Sequence, residues 1–232
     1  MRILITDTTW NMATLAKMMR DQGFCVSEAA NGEDVVAHVE HGIYDAVLID
    51  PDLPDMEFTT LVRRLRGMAP QLPICLFDRD WTEKNRLRAY AAGADAVTGW
   101  PYQPDEIAAQ MRAFARRARG FATQMPSFAG LTIDLDRRAV RFAGQSVHLT
   151  RLEYELIETL ALANGTLVDR DTIMSRLYGW EDEPDPKIID VYICRIRAKL
   201  ATLDAPRALI STNFGNGYRL DPFANVVEVA AA

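Results

Sequence analysis

The chain has 232 residues, 49% hydrophobic and 25% charged, which is the composition of an ordinary soluble protein and enough length for two compact domains. No apolar run is long enough to span a bilayer, and Met1-Arg-Ile-Leu-Ile-Thr-Asp7 brings in an acid too early for an export signal, so the cytoplasm is the expected location. The net charge of -6, with 12 Lys+Arg against 15 Asp+Glu after Gly120, excludes a generally basic nucleic-acid coat; any DNA contact must come from a local patch. Cys25, Cys75 and Cys194 are an odd set without metal-ligand spacing and are expected to be reduced, mostly buried thiols.

Taken in order, Arg2-Ile-Leu-Ile-Thr6 reads as a short apolar strand, followed by a helix that carries Leu15, Met18 and Met19 and ends near Gly23. Strands are expected next at Phe24–Ser27, Tyr44–Asp50, Leu72–Phe77 and Ala96–Val97. Helices are expected around Val35–Val39, Leu61–Leu65, Thr82–Ala92 (closed by Gly93) and Pro104–Arg119. Five alternations of strand and helix predict an α/β domain with a parallel sheet covered by helices on both faces, its site at the carboxyl ends of the strands. Asp7, Thr8, Asp50, Asp78 and Trp100 fall at or just past those ends.

Residues 120–127, with Pro126 and small side chains, read as a linker between a first domain at 1–119 and a second at 128–222. Leu131–Asp134, Ala139–Phe142 and Gln145–His148 alternate as a small antiparallel sheet. Thr150 and Glu153 form a capping box ahead of a helix with Leu152, Leu156 and Leu160 inward, and Asp169 caps another containing Ile173, Met174 and Leu177. After an acidic loop, Asp185 is an N-cap and Pro186 a first helical residue. In the helix that follows, Ile189, Ile193, Ile196 and Leu200 recur at helical spacing as a core face. Beside them Ile188, Tyr192, Arg195 and Lys199 make a second stripe, with Lys187 and Val191 near its start. Such a stripe suits the major groove, where cations reach guanine and apolar atoms meet thymine methyls; the plainer alternative is a solvated basic face. Leu209–Thr212 and Tyr218–Leu220 read as a hairpin, or wing, turned by Asn213-Phe-Gly-Asn-Gly217, and residues 223–232 as a flexible tail.

Helix plus wing, with Ile188-Ile-Asp-Val-Tyr-Ile-Cys-Arg-Ile-Arg-Ala-Lys-Leu200 and Gly215-Asn-Gly-Tyr-Arg-Leu220, resembles the α+β winged-helix effector domain of the OmpR/PhoB family of response regulators. The stretch from Gly179 to Cys194 looks most like the alphaproteobacterial cell-cycle regulators of that family. The first domain in turn resembles the flavodoxin-like receiver domain. The resemblance implies an acidic pair holding Mg²⁺, a phosphoacceptor Asp, a switch Thr or Ser and a phosphoryl-binding Lys. Here Asp7 keeps one acidic position and Thr8 replaces the other; Asp50 stands as acceptor, Asp78 replaces the hydroxyl and Trp100 the lysine. Asp55 and Phe58 replace two loop glycines. A metal ligand and a cation are lost and a carboxylate is added where a dianion would sit, so the expectation is a receiver not switched by phosphorylation. Arg79 is a candidate ion-pair partner for Asp50 or Asp78. Asp7, Asp50 and Asp78 are weak candidates for a structural divalent cation; otherwise no metal or cofactor is expected, with Mg²⁺ only if the site still works.

The resemblance also implies a symmetric dimer in which Arg86 meets Glu106 and Asp95 meets Arg117 across the interface. The family's loop before the recognition helix touches RNA polymerase, which makes Trp180, Glu181, Asp182 and Glu183 candidates; a plain solvated loop is the alternative. Arg197 is expected on phosphate or an acidic helix face, and Lys187, Tyr192 and Arg195 on bases. The family's wing often sends an arginine into the minor groove; here Asn213, Phe214 and Asn216 occupy the tip as the wing's DNA-contact candidates, and packing of Phe214 under the wing is the alternative. These residues predict a DNA-binding, homodimeric, phosphate-independent transcription regulator and not an enzyme. A conventional phosphorylation-activated regulator and an interaction antagonist that does not read DNA are the alternatives.

Overall fold

Five short apolar strands pair side by side in the first 120 residues of the computed structural model, which describes residues 1–121, 125–135, 137–178, 184–222 and 224. β1 (Arg2–Thr6), β2 (Cys25–Ala29), β3 (Ala46–Ile49), β4 (Ile74–Asp78) and β5 (Ala96–Gly99) form one sheet in the order β2-β1-β3-β4-β5. Every pairing is parallel, as the crossover helices require. Because side chains alternate across a strand, Ile3, Ile5, Leu48 and Phe77 face α1 (Trp10–Asp21) and α5 (Pro104–Ala118), whereas Leu4, Val47, Ile49 and Leu76 face the other side. That second side is covered by α2 (Gly32–His41), α3 (Phe58–Met68) and α4 (Glu83–Ala92). Both faces being buried explains why these strands read as continuous apolar runs. The order places β1 beside β3 at the reversal point, so the segments after β1, β3 and β4 meet at one end of the sheet.

The second unit, from Phe121, opens on an antiparallel sheet of β6 (Ser127–Phe128), β7 (Leu131–Asp134), β8 (Ala139–Phe142) and β9 (Gln145–Val147). β6 starts on Ser127, which the sequence reading had assigned to the linker. α6 (Arg151–Leu162) carries the expected capping box, α7 (Arg170–Leu177) the Asp169 cap, and α8 (Ile188–Ala201) precedes the hairpin β10 (Ile210–Asn213) and β11 (Gly217–Leu220). α8 starts two residues later than Pro186, with Lys187 and not Asp185 at its N-cap; Asp185 Oδ1 accepts the Lys187 amide at 2.9 Å in the turn ahead of the helix. One core joins the sheet, the three helices and the hairpin, with Leu156, Leu160, Ile173, Ile189, Ile193, Ile196 and Leu200 inside it. Each such fully buried aliphatic side chain contributes about 1.5–3 kcal/mol relative to exposure. The expected tail lies almost wholly outside the described residues. No helix among the described residues is long and apolar enough to cross a membrane.

Candidate DNA interface and receiver cleft

At the carboxyl end of the first sheet, Asp50 is buried and its carboxylate is already engaged. Thr9 Oγ1 donates to Asp50 Oδ2 at 2.7 Å, and the Asp52 amide donates to Oδ1 at 2.9 Å. Thr9 is also the N-cap of α1, accepting the Met12 amide, so its position is fixed by the helix it starts. Asp78 and Arg79 line the same cleft of about 110 Å³ with Asp50, Trp100 and Tyr102. Asp78 accepts the Arg79 and Asp80 amides; the Arg79 guanidinium pairs with neither carboxylate, contrary to the option raised for it. The Trp100 edge rests on the Tyr102 ring at 4.9 Å, and burial pushes the Tyr102 phenol up to about 12. Trp100-Pro101 is cis.

Asp7 is exposed and does not line this cleft, and the Thr8 hydroxyl is buried without a hydrogen-bond partner. Asp7, Asp50 and Asp78 therefore do not converge, which corrects their candidacy as a cation clip: no group of three or more His, Cys, Asp or Glu gathers for a metal among the described residues. The donor set does not fit the divalent ion implied by the resemblance, because Asp7 faces solvent outside the cleft and Thr8 brings no carboxylate in place of the second acid.

The loop after Asp50 is held from two sides. Asp55, in place of a glycine, accepts the Gly32 and Glu33 amides at 2.8 and 2.9 Å and so caps α2 from outside it. Burial works to raise this carboxyl, but the amides outweigh it and hold it below the ordinary range. Glu57 pairs with Arg88 of α4, whose guanidinium lies 5.5 Å from the Phe58 ring.

On the proposed pairing face, Arg86 and Glu106 are exposed on α4 and α5, and Arg117 lies over Phe114 at 5.1 Å. Asp95 is exposed, and its Oδ2 accepts Arg66 Nη2 at 2.8 Å and the Ile74 amide at 2.7 Å within the chain. The sequence reading missed Leu87 and Tyr90, which leave 63% and 50% of their area exposed on α4. Their three-residue spacing on an otherwise polar helix was the available signal.

In α8 the core face is as expected, but the outward face is rotated by about one residue from the expected stripe. Tyr192 is only 9% exposed and shares a 2.7 Å hydrogen bond with the Tyr178 hydroxyl. Lys199 Nζ donates to the buried Glu153 at 2.6 Å, and Ile188 is half-buried against the core. These three are structural rather than outward. Solvent meets Lys187, Val191, Cys194, Arg195 and Ala198, so Cys194 is not buried as expected. Small side chains at 194 and 198 leave the helix backbone open to close approach by a ligand, beside the apolar Val191 and the cation of Arg195.

Arg197 is also reassigned. Its guanidinium donates to the Ile210 carbonyl at 3.2 and 2.5 Å and to Thr212 Oγ1 at 2.7 Å, clamping β10 to α8 instead of reaching phosphate. Phe214 does not pack under the wing; it is 91% exposed. Asn213 and Asn216 bond to each other across the hairpin tip. A groove of about 740 Å³ runs between α8 and the wing, bounded by Cys194, Arg197, Arg207, Thr212 and Phe214 among others. Several cations of this unit are spent on partners: Arg170 on Asp190, Lys199 on Glu153 and Arg219 on Asp221. Lys187, Arg195 and Arg207 are exposed and have no carboxylate partner among the described residues. The polymerase candidates Trp180, Glu181, Asp182 and Glu183 lie outside the described residues.

Comparison with known proteins places both units. Residues 3–112 match the response regulator receiver domain, and residues 144–220 match the C-terminal domain of transcriptional regulatory proteins. The cell cycle response regulator CtrA of Brucella ovis is 34% identical over 229 residues, covering 98% of this chain and 99% of the relative. The cell cycle transcriptional regulator CtrA of Caulobacter vibrioides is 35% identical over 221 residues, covering 95% and 96%. Among solved structures, the Thermotoga maritima OmpR/PhoB homolog DrrB aligns at 25% identity over 95% of this chain and 98% of that one, with a TM-score of 0.45. With both domains matched in order and relatives aligned end to end, the chain belongs to the DNA-binding response regulators of the OmpR/PhoB type.

Proposed function

We propose that this chain is a sequence-specific transcription regulator of the cytoplasm that binds DNA as a receiver-paired dimer without phosphorylation. The observation that carries the reading is the cleft around Asp50, where the carboxylate of Asp78 lines the same wall and Trp100 stands at the expected lysine position. A carboxylate nucleophile needs a cation to shield the incoming phosphoryl group, and a second carboxylate beside it opposes that group instead. No metal or cofactor and no catalytic step is part of the reading. Exposed Leu87 and Tyr90, with Arg86 on the same helix, supply an apolar pairing face that needs no phosphate to form. DNA contact falls to Val191, Cys194, Arg195 and Ala198 of α8, with Lys187 and Arg207 on the phosphates.

Selection of genomic fragments by the untreated protein, followed by titration of wild type and Asp50→Ala, tests this directly. Equal and sequence-specific affinity of the two is expected, together with no mass shift at Asp50 after a phosphodonor and Mg²⁺. Binding that appears only after phosphodonor treatment and is absent in Asp50→Ala would establish a working switch instead. Failure of either protein to select DNA would favour the interaction antagonist. With Lys187 and Arg207 on the phosphates, the slope of log Kobs against log salt should be roughly -2 per protomer, and a slope twice as steep would mean that further cations also reach phosphate.

A further inference from the structure

Phe214 stands at the tip of a hairpin that is unusually well fixed for a surface loop. The Asn216 amide bonds the Asn213 carbonyl at 3.0 Å, the two side chains bond at 3.1 Å, and Gly215 supplies the left-handed residue at φ 82. At the root, Arg197 holds β10, the Val168 and Tyr218 backbones pair at 2.8 and 2.9 Å, and the Tyr218 hydroxyl bonds Asp190 of α8. The ring is therefore displayed by a rigid support, and little ordering is left to be done on binding.

Single exposed apolar side chains are common and need no special account. Two observations set this one apart. It lines the groove opposite Cys194 and Ala198, the outward face of α8. And residues 213–217 contain no cation, while Arg219 further down the wing is turned onto Ser211 at 3.0 Å and Asp221. If α8 lies in a major groove, the sugar–phosphate strand follows the groove beside it and the hairpin tip arrives at the adjoining minor groove. What it presents there is an aromatic ring flanked by two amides.

We propose that Phe214 is a specificity-determining wedge that enters the minor groove, unstacks one base step and bends the duplex toward the major groove. This rests on the DNA-binding reading of α8. Apolar wedges between base steps are an established way of kinking DNA, and pyrimidine–purine steps yield most readily. The wing thus selects sequence through deformability: its preferred half-site carries a TA or CA step at a fixed distance from the bases read by α8. The flanking Asn213 and Asn216 favour A·T edges, whose minor-groove atoms are acceptors only.

The test uses the full chain and duplexes recovered by selection with it, carrying 2-aminopurine at successive steps beside the α8 contact. Wild type is expected to raise the emission at a single step and to bend the fragment in gel-mobility permutation. Phe214→Ala, which removes an exposed ring and leaves the core untouched, is expected to abolish both signals and weaken binding roughly tenfold. Phe214→Trp is expected to restore them, and Phe214→Arg to recover affinity without unstacking and to shift preference toward narrow A-tracts. Equal emission and bending for wild type and Phe214→Ala would overturn the wedge. So would loss of affinity in Phe214→Ala with no emission change in wild type, which would mark a backbone contact. If no duplex is selected at all, the DNA-binding reading falls, and the wedge with it.

Discussion

Around Asp50 and around α8 the chain treats its charged groups in opposite ways. In the receiver cleft, the Asp50 carboxylate is engaged by its own neighbours, Thr9 and the Asp52 amide, while Asp7 is left facing solvent. In the effector unit, the cations that might have been free are drawn inward to build the scaffold, Arg197 onto β10 and Lys199 onto Glu153, and the outward face keeps only a few. A charged side chain that already holds a buried partner is unavailable to a ligand without breaking that contact, and breaking it leaves the partner desolvated. Residue type alone therefore misleads in both places, in the cleft by suggesting a live acceptor and on the helix by suggesting a wide basic face.

The comparison is broken most severely at the wing. Gly217 sits at φ 144, and a Cβ there would fall against the Val168 carbonyl oxygen and 2.8 Å from the Asp169 Cα, both backbone atoms that cannot yield. Gly217→Ala should destabilise the effector unit by about 3 kcal/mol and abolish DNA binding while the receiver keeps its own transition in calorimetry. An equal shift of both transitions would mean that the two units do not unfold separately.

The Lys199–Glu153 pair comes next. Burial works to raise the Glu153 carboxyl, but Lys199 and the Thr150 amide prevail and hold it below the ordinary range. A depressed folded pKa contributes stability that is present above the unfolded value near 4.5 and is lost as pH falls through the folded value. Lys199→Met should cost about 2 kcal/mol at pH 7, by leaving a buried carboxylate unpaired. Its penalty should shrink below pH 4.5 as Glu153 takes up a proton, which thermal melts across pH would record. A penalty that does not change with pH would point to lost packing by the lysine stem.

Thr9→Val sharpens the receiver side. It removes the α1 cap and the hydroxyl on Asp50, so urea unfolding should show a loss of about 1 kcal/mol. Phosphoryl uptake at Asp50 should still be absent by mass spectrometry, since Asp78 and Trp100 remain; uptake in this variant would make Thr9 the sole block. The smallest effect belongs to Arg64→Ala. Its pair with Glu33, at 2.5 Å, is solvent-exposed, and such pairs add little to stability, so no resolvable change in unfolding is expected. A loss as large as that of Lys199→Met would show that geometry, and not burial, sets the strength of these contacts.

Periodicity made the fold legible. Ile189, Ile193, Ile196 and Leu200 identify the inner face of α8 because the 3.6-residue repeat is a local property. The continuous runs around Leu48 and Leu76 identify buried parallel strands for the same reason. What the sequence hid was partnership across distance. Lys199 meets Glu153 from 46 residues away and Asp95 meets Arg66 from 29, and no spacing announces either contact. Tyr192 lay one position off the core stripe, and its burial depends on Tyr178, a neighbour in space only. Thr9 was readable as a helix cap, yet its second bond, to Asp50, required the β1–β3 adjacency.

Asp55 and Glu57 bind the loop after Asp50 to the start of α2 and to α4 at once. A signal acts on a protein by biasing two arrangements that differ little in free energy, and these contacts favour the arrangement in which the loop is held against α2 and α4. On the proposed reading, occupancy of the DNA sites then follows mass action: it rises with the number of molecules in the cell and falls with their dilution or degradation. On that reading, control belongs to synthesis and turnover, and the protein's message is its abundance.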